Sequence, residues 1–236
     1  MTTTTWPLPV SQQPLWRWVL IALAVIIVGG ILAFATLKPI RVLPRIRLAP
    51  GFSMVDQDGN QVTSEDLRGT VTLYTFTYTR CQSSQCQSLL NTLKEVDRRL
   101  PETGLEDVPF RIVVVSFDPQ HDTPARLRAF AREQQVDLNR WSFVTHPDPV
   151  RLRYVIGGGF EVYYAPTEDG EFEFDTAYIL VDGWGIIRGE YRYQTLVPDT
   201  DRIVRHLGVL AQEIREAKGA AKVAYEAAHL FLCYAQ

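Results

Sequence analysis

The chain has little cysteine, little methionine and almost no surplus of charge of either sign. Three cysteines in 236 residues are too few for a disulfide framework or an all-cysteine tetrahedral zinc site, so any cysteine chemistry is local. Lys and Arg number 24 against 27 Asp and Glu, a formal net charge of -3. With no basic helix carrying interleaved aromatics, that balance sets nucleic acid aside as a partner. No internal repeat is present, and no low-complexity segment beyond Thr2 to Thr5. What remains, 46% hydrophobic and 22% charged, is the composition of an ordinary folded domain and not of a disordered chain.

Charge is missing altogether between Arg17 and Lys38. Residues 18–37 (WVLIALAVIIVGGILAFATL) would make a helix of about 30 Å, enough to cross a bilayer. The run is longer and less amphipathic than a core helix, and it lacks the basic start and short apolar core of a cleaved signal peptide. Trp16 and Trp18 stand where interfacial aromatics lie, and Gly29-Gly30 offers a small-residue face to another membrane helix. Residues 1–17 read as a leader, and residues 38–50, with Pro39, Pro44 and Pro50, as a stiff basic linker. Lys38, Arg41, Arg45 and Arg47 follow the span while only Arg17 precedes it; charge bias alone would leave the next domain in the cytoplasm.

Beyond the linker, hydropathy period assigns the elements. Residues 52–55 and 61–63 are two short strands around Asp58-Gly59. Residues 71–78 alternate and are rich in β-branched and aromatic side chains, as in a sheet strand. Cys86, Leu89, Leu90, Leu93, Val96 and Leu100 recur at three- and four-residue steps, the stripe of a core-facing helix. Residues 110–117 suit a central strand. Asp122-Thr123-Pro124 opens a helix over 124–135 with capping oxygens and a proline at its first position. A strand at 142–145 and a helix at 150–156 stopped by Gly157, Gly158 and Gly159 come next. Strands at 160–165, 174–181 and 186–193 follow, the last two joined through a glycine turn, and then a helical tract over 199–236. This order predicts an α/β domain over residues 51–198, a thioredoxin-like mixed sheet with flanking helices, preceded by one N-terminal transmembrane helix.

A thiol between the end of a strand and the start of a helix is acidified by the helix N-terminus, and Cys81 stands there. Cys86 has two readings that the sequence leaves open. It is a small core residue on its helix's apolar stripe, or it pairs with Cys81, which is within reach if Cys81 precedes the helix. One peroxiredoxin class shares the C-x-x-x-x-C spacing, but the proline and threonine that precede its cysteine fall on Tyr74 and Tyr78 here, which sets peroxidase chemistry aside. Cys233 reads as an unpaired bystander.

Phe76-Thr77-Tyr78-Thr79-Arg80-Cys81, Ser116-Phe117-Asp118-Pro119-Gln120-His121-Asp122-Thr123-Pro124, and Leu180-Val181-Asp182 before a glycine turn together resemble the Sco/SenC copper-chaperone family, over residues 52–193. The resemblance implies a thioredoxin fold outside the cytoplasmic membrane on an N-terminal anchor. It also implies copper held by two cysteines spaced C-x-x-x-C and a histidine from a later D-H-S loop. At those positions this chain has Gln85, with Cys86 one residue on, and Thr176 within Asp175-Thr176-Ala177. Cys81 and Cys86 are therefore the candidate copper ligands and the candidate redox pair, a poorer cuprous site for want of a nitrogen ligand. His121 and His146, each following a strand, are the candidate substitutes for the histidine replaced by Thr176; His206 and His229 fall in the last helical tract. Asp118 and Asp122 read as turn and cap residues, and Glu168, Asp169, Glu171, Glu173 and Asp175 as a solvated or partner-contacting face.

The resemblance outweighs the charge count for topology: a single-pass protein of the cytoplasmic membrane with its domain on the extracytoplasmic, periplasmic side. The missing ligands and the apolar end at residues 230–234 favour a Sco-like accessory subunit of a respiratory or photosynthetic electron-transfer membrane complex, of the alternative complex III kind. Such a subunit is held by its contacts with other subunits, with no certain cofactor and no enzymatic role. The alternative is a copper metallochaperone or thiol–disulfide oxidoreductase for cytochrome oxidase assembly, acting through Cys81 and Cys86.

Overall fold

Prolines at positions 14 and 39 flank the N-terminal run that carries no charge over 18–37, and α1 spans Leu15–Leu37, 23 residues. A computed structural model describes residues 15–37, 41–192 and 200–219, with residues 222, 225, 226, 228 and 229. The side chains of α1 are described over residues 15–30 and are exposed throughout, a shorter stretch than the ~20 residues a bilayer takes. Among the described residues no helix is long and apolar enough to cross a membrane. Residues 1–14 of the leader expected over 1–17, residues 38–40 of the linker expected over 38–50, and the apolar end with Cys233 lie outside the described residues. Two units make up the chain, Met1–Ile40 and Arg41–Gln236.

The second unit is built on ten strands among the described residues: β1 (Arg47–Leu48), β2 (Ser53–Asp56), β3 (Gln61–Thr63), β4 (Val71–Thr77), β5 (Phe110–Ser116), β6 (Trp141–Thr145), β7 (Tyr164–Pro166), β8 (Phe172–Phe174), β9 (Ala177–Val181) and β10 (Ile186–Arg192). Eight of them form one sheet in the order β1-β10-β9-β4-β5-β6-β2-β3. Strands β4, β5 and β6 run parallel, with Thr77 level with Ser116, whereas β9, β10 and the β2–β3 hairpin add antiparallel neighbours. Every residue of β4 and β9 is buried, as in central strands covered on both faces; the alternation read over 71–78 does not mark a solvent face. Helix α2 (Ser84–Arg98) packs on α5 (Thr200–Glu216), and α3 (Pro124–Gln134) on β6 and β2. A short α4 (Pro149–Leu152) follows β6. This is the expected mixed sheet with flanking helices.

Four expected elements differ. The strand expected over 160–165 is confined to Tyr164–Pro166, because the Phe160 amide closes the preceding π turn on the Val155 carbonyl at 2.9 Å. The strand expected over 174–181 divides at Asp175-Thr176: β8 pairs with β7 in a separate ribbon, and the sheet resumes at Ala177. The division is set by the Asp175 amide, which turns to the carbonyl of Tyr163 at 3.0 Å. Gly157, Gly158 and Gly159 do not stop the helix but continue it as a π turn over Arg153–Gly159. Gly159 is there for close approach, since a Cβ on it would lie 2.5 Å from the Cβ of Pro50. The C-terminal tract is not one helix either; α5 ends at Glu216 and the chain turns at Gly219 with φ +55°, a conformation that suits glycine.

One buried ion cluster holds the edge of the sheet. Arg188, 2% exposed, reaches Asp182 at 2.9 Å and Glu213 at 2.6 Å. It also donates to the carbonyls of Leu43 at 2.8 Å and Pro44 at 3.1 Å. It thereby joins the incoming chain, the β9–β10 turn and α5, and His229 adds a 3.0 Å contact to Glu213. Removing one member of a buried ion cluster leaves the others charged without compensation. Arg188→Met is therefore expected to lower stability by about 3–5 kcal/mol, read as a shift of the urea unfolding midpoint.

Candidate functional site

Strand β4 ends at Thr77, and Tyr78, Thr79 and Arg80 lead to Cys81 ahead of α2. Ser83 is the N-cap, its Oγ accepting from the Cys86 amide at 3.4 Å. Cys81 thus precedes the helix and Cys86 lies in its first turn, so two residues five apart can meet. They form a disulfide with Cα atoms 6.1 Å apart. Both readings of Cys86 hold at once, because it is also 2% exposed and part of the core. Its sulfur lies 3.5 Å from the hydroxyl of Thr77.

The Asp-Pro-x-x-Asp-Thr-Pro segment frames this loop. Because β4 and β5 are parallel and in register, the chain leaving β5 runs beside the chain leaving β4. Asp122, fully buried, accepts from the Thr79 amide at 2.9 Å and from the hydroxyls of Thr79 and Ser116 at 2.5 Å each. Asp118 accepts from Arg80 at 2.8 and 3.0 Å and meets His121 Nδ1 at 2.9 Å. The expected cap role of Asp122 is corrected here, since the cap of α3 is Thr123, whose side chain accepts from the Arg126 amide. Asp118 keeps its turn role through its carbonyl, which accepts from Asp122 N at 2.9 Å.

The β7–β8 ribbon closes over the other side. Tyr78 donates to Glu171 at 2.5 Å, and Arg80 donates to the carbonyl of Gly170 at 3.1 Å. Burial, reinforced by the hydrogen bond to Glu171, pushes the Tyr78 phenol up to about 12, so it stays a donor at neutral pH. Of the acidic cluster in this ribbon, Glu171 therefore faces the cysteine loop.

Gln85 and Thr176 meet. The Gln85 side-chain amide donates to Thr176 Oγ1 at 3.0 Å and to the carbonyl of Phe174 at 2.9 Å. The two positions where the resemblance expects a cysteine and a histidine thus face each other and satisfy each other. One residue on, a turn of about 100° around the helix axis carries Cys86 away from them into the core. The substitute histidines are engaged elsewhere: His121 with Asp118, and His146 with the Asp148 amide at 2.9 Å. His146 lines a cavity of about 340 Å³ with Phe52, Met54, Arg151 and Tyr154 that neither cysteine reaches. His206 bonds Tyr191 at 2.7 Å. Among the described residues no group of three or more His, Cys, Asp and Glu is placed to hold a metal ion. An amide, a hydroxyl and a bonded pair of sulfurs do not make the soft donor set that cuprous copper takes. The family's three-ligand copper site does not fit these residues.

Sequence reasoning missed the Asp122 clamp, the Arg80–Asp118 pair and the Gln85–Thr176 contact. The first two could have been found by reading the loops after adjacent parallel strands together; the third depends on where the ribbon returns, which no local pattern shows. Asp122→Ala strands three buried donors, each costing about 1–3 kcal/mol when unpaired. The expected outcome is a loss of about 2 kcal/mol or more in urea unfolding, with faster reduction of the disulfide by dithiothreitol in the folded variant.

The SCO1/SenC family model matches residues 43–212. The SCO1 protein homolog of Bacillus subtilis (strain 168) is 31% identical over 94 residues, 40% of this chain and 47% of that protein; the chain spans about half the length of this curated relative. The solved structure of a SCO1/SenC family lipoprotein from Bacillus anthracis str. Ames superposes with a TM-score of 0.62 at 24% identity, covering 70% of this chain and 95% of that one. Copper-bound ScoI of Bradyrhizobium japonicum superposes with a TM-score of 0.53 at 26% identity, covering 68% of this chain and 99% of that one. With its mixed thioredoxin-like sheet, its cysteine loop at the end of β4 and a family match running from before β1 into α5, the chain belongs to the SCO1/SenC family.

Proposed function

We propose that this is a membrane-anchored Sco-type protein whose Cys81–Cys86 couple exchanges electrons with protein thiols during assembly of a membrane electron-transfer complex, cytochrome oxidase being the first candidate. The observation that carries this reading is the Gln85–Thr176 contact. It fills the positions of two copper ligands while the thiol pair is retained at the helix N-terminus, so dithiol chemistry survives where three-ligand copper carriage does not. Copper is cargo in this reading only for the reduced sulfurs, and weakly. The absence of charge from residues 18–37, within α1, supports its use as the anchor. A disulfide persists in oxidising compartments, which supports an extracytoplasmic domain against the charge count.

A second reading keeps the chain as a resident accessory subunit of such a complex, as in alternative complex III. It is favoured by exposed apolar side chains on edge strand β1 and in the β9–β10 turn, Leu48 at 67% and Trp184 at 80% exposure, the kind of surface that a partner covers. Native electrophoresis of gently solubilised membranes separates the two: the assembly reading expects the chain free or in traces beside haem-containing complexes, and stoichiometric co-migration overturns it.

Cuprous titration of the reduced protein tests the ligand argument. No tight one-equivalent binding is expected for the natural sequence, and Gln85→Cys combined with Thr176→His is expected to gain it. Tight, Cys81-dependent binding by the natural sequence would overturn the reading.

A further inference from the structure

A disulfide that reacts with a thiolate keeps one sulfur in the new bond and releases the other, and the surroundings of Cys81 and Cys86 are unequal. Cys81 is partly exposed, with its sulfur 3.3 Å from Ser83 Oγ. Cys86 is closed off at 2% exposure. An incoming thiolate therefore reaches the sulfur of Cys81, and Cys86 leaves.

A sulfur that leaves inside a core needs its charge met there. Thr77, the last residue of β4 and itself 2% exposed, places Oγ1 3.5 Å from the Cys86 sulfur. A bonded sulfur carries no proton, so the hydroxyl is the donor. The backbone behind it is fixed, because the Thr77 carbonyl accepts from the Phe117 amide at 3.2 Å. Cys86 also sits in the first turn of α2, where the positive end of the helix dipole favours negative charge.

We propose that Thr77 is a catalytic residue whose hydroxyl stabilises the Cys86 thiolate released when a protein dithiol attacks Cys81. This rests on the thiol–disulfide reading above. In the first step the partner's thiolate bonds to the sulfur of Cys81, the Cys81–Cys86 bond breaks, and its electron pair stays on Cys86 as a thiolate. In the second, the partner's other thiol, deprotonated, attacks its own sulfur in the mixed disulfide and releases Cys81 as a thiolate. The partner is oxidised to a disulfide and this chain is reduced to a dithiol, by two electrons. Hydrogen bonds to a charged group are worth more than neutral ones, so the hydroxyl matters most as the bond breaks.

The test compares Thr77→Val, which keeps the shape without the donor, with Thr77→Ser, which keeps the donor, in the full chain. Reduction by dithiothreitol at fixed pH is expected to slow about tenfold in the valine variant, on the order of 1.4 kcal/mol. The serine variant is expected to stay within about twofold of the natural chain, in line with a donor that is retained. Thiolate absorbance of the reduced chain is expected to show the Cys86 thiol titrating at higher pH in the valine variant. If that variant does not fold, Thr77→Ala carries the same comparison. Parental rates and titration in the valine or alanine variant overturn the proposal, as does equal slowing by serine. A two-cysteine peptide as reductant separates the layers: if the natural chain fails to oxidise it, the functional reading falls, while the dithiothreitol comparison still decides the role of Thr77.

Discussion

Among the described residues Asp122 has no ion-pair partner, yet the geometry of the site hangs on it. Parallel pairing sets Thr77 level with Ser116, so the chain leaves β4 and β5 side by side, and a single buried carboxylate then bonds both exits through Thr79 and Ser116. A carboxylate can be buried only if its oxygens are filled, and here three donors fill them. The cysteine loop inherits its position from that requirement, and Arg80, gripped by Asp118, fixes the residue before Cys81.

The other organising fact is a displacement of one residue. Had the second cysteine stood at position 85, its side chain would face Thr176 and the returning ribbon. At position 86 it faces β4 and the core instead. The same helix, cap and loop thus present a sulfur inward and an amide outward. Positions where the resemblance implies copper ligands here carry a neutral hydrogen-bonded pair, and the sulfurs are joined in a covalent bond.

Much of the fold was legible because single-period patterns govern it. Strands β4 and β5 announce themselves by β-branched runs, α2 by its apolar stripe and α3 by Thr123-Pro124. What escaped was set by tertiary contacts. The break at Asp175-Thr176 answers to Tyr163, the π turn to the close approach of Pro50, and the place of Arg188 to carboxylates on a turn and a distant helix. At the site, the position of Cys81 ahead of α2 could be read from sequence, and the Asp-Pro motif only as a turn and a helix start. That Gln85 would touch Thr176, 91 residues away, could not.

The Arg188 cluster grips the chain at Leu43 and Pro44, just where it enters the sheet's edge, and binds it to the β9–β10 turn and α5. Strands β10 and β9 stand between that grip and β4. Tension arriving along the incoming segment is therefore borne by a buried guanidinium and its carboxylates before any of it can reach the cysteine loop. The place where the chain enters the domain and the place where its two sulfurs meet are thus held by separate sets of buried groups.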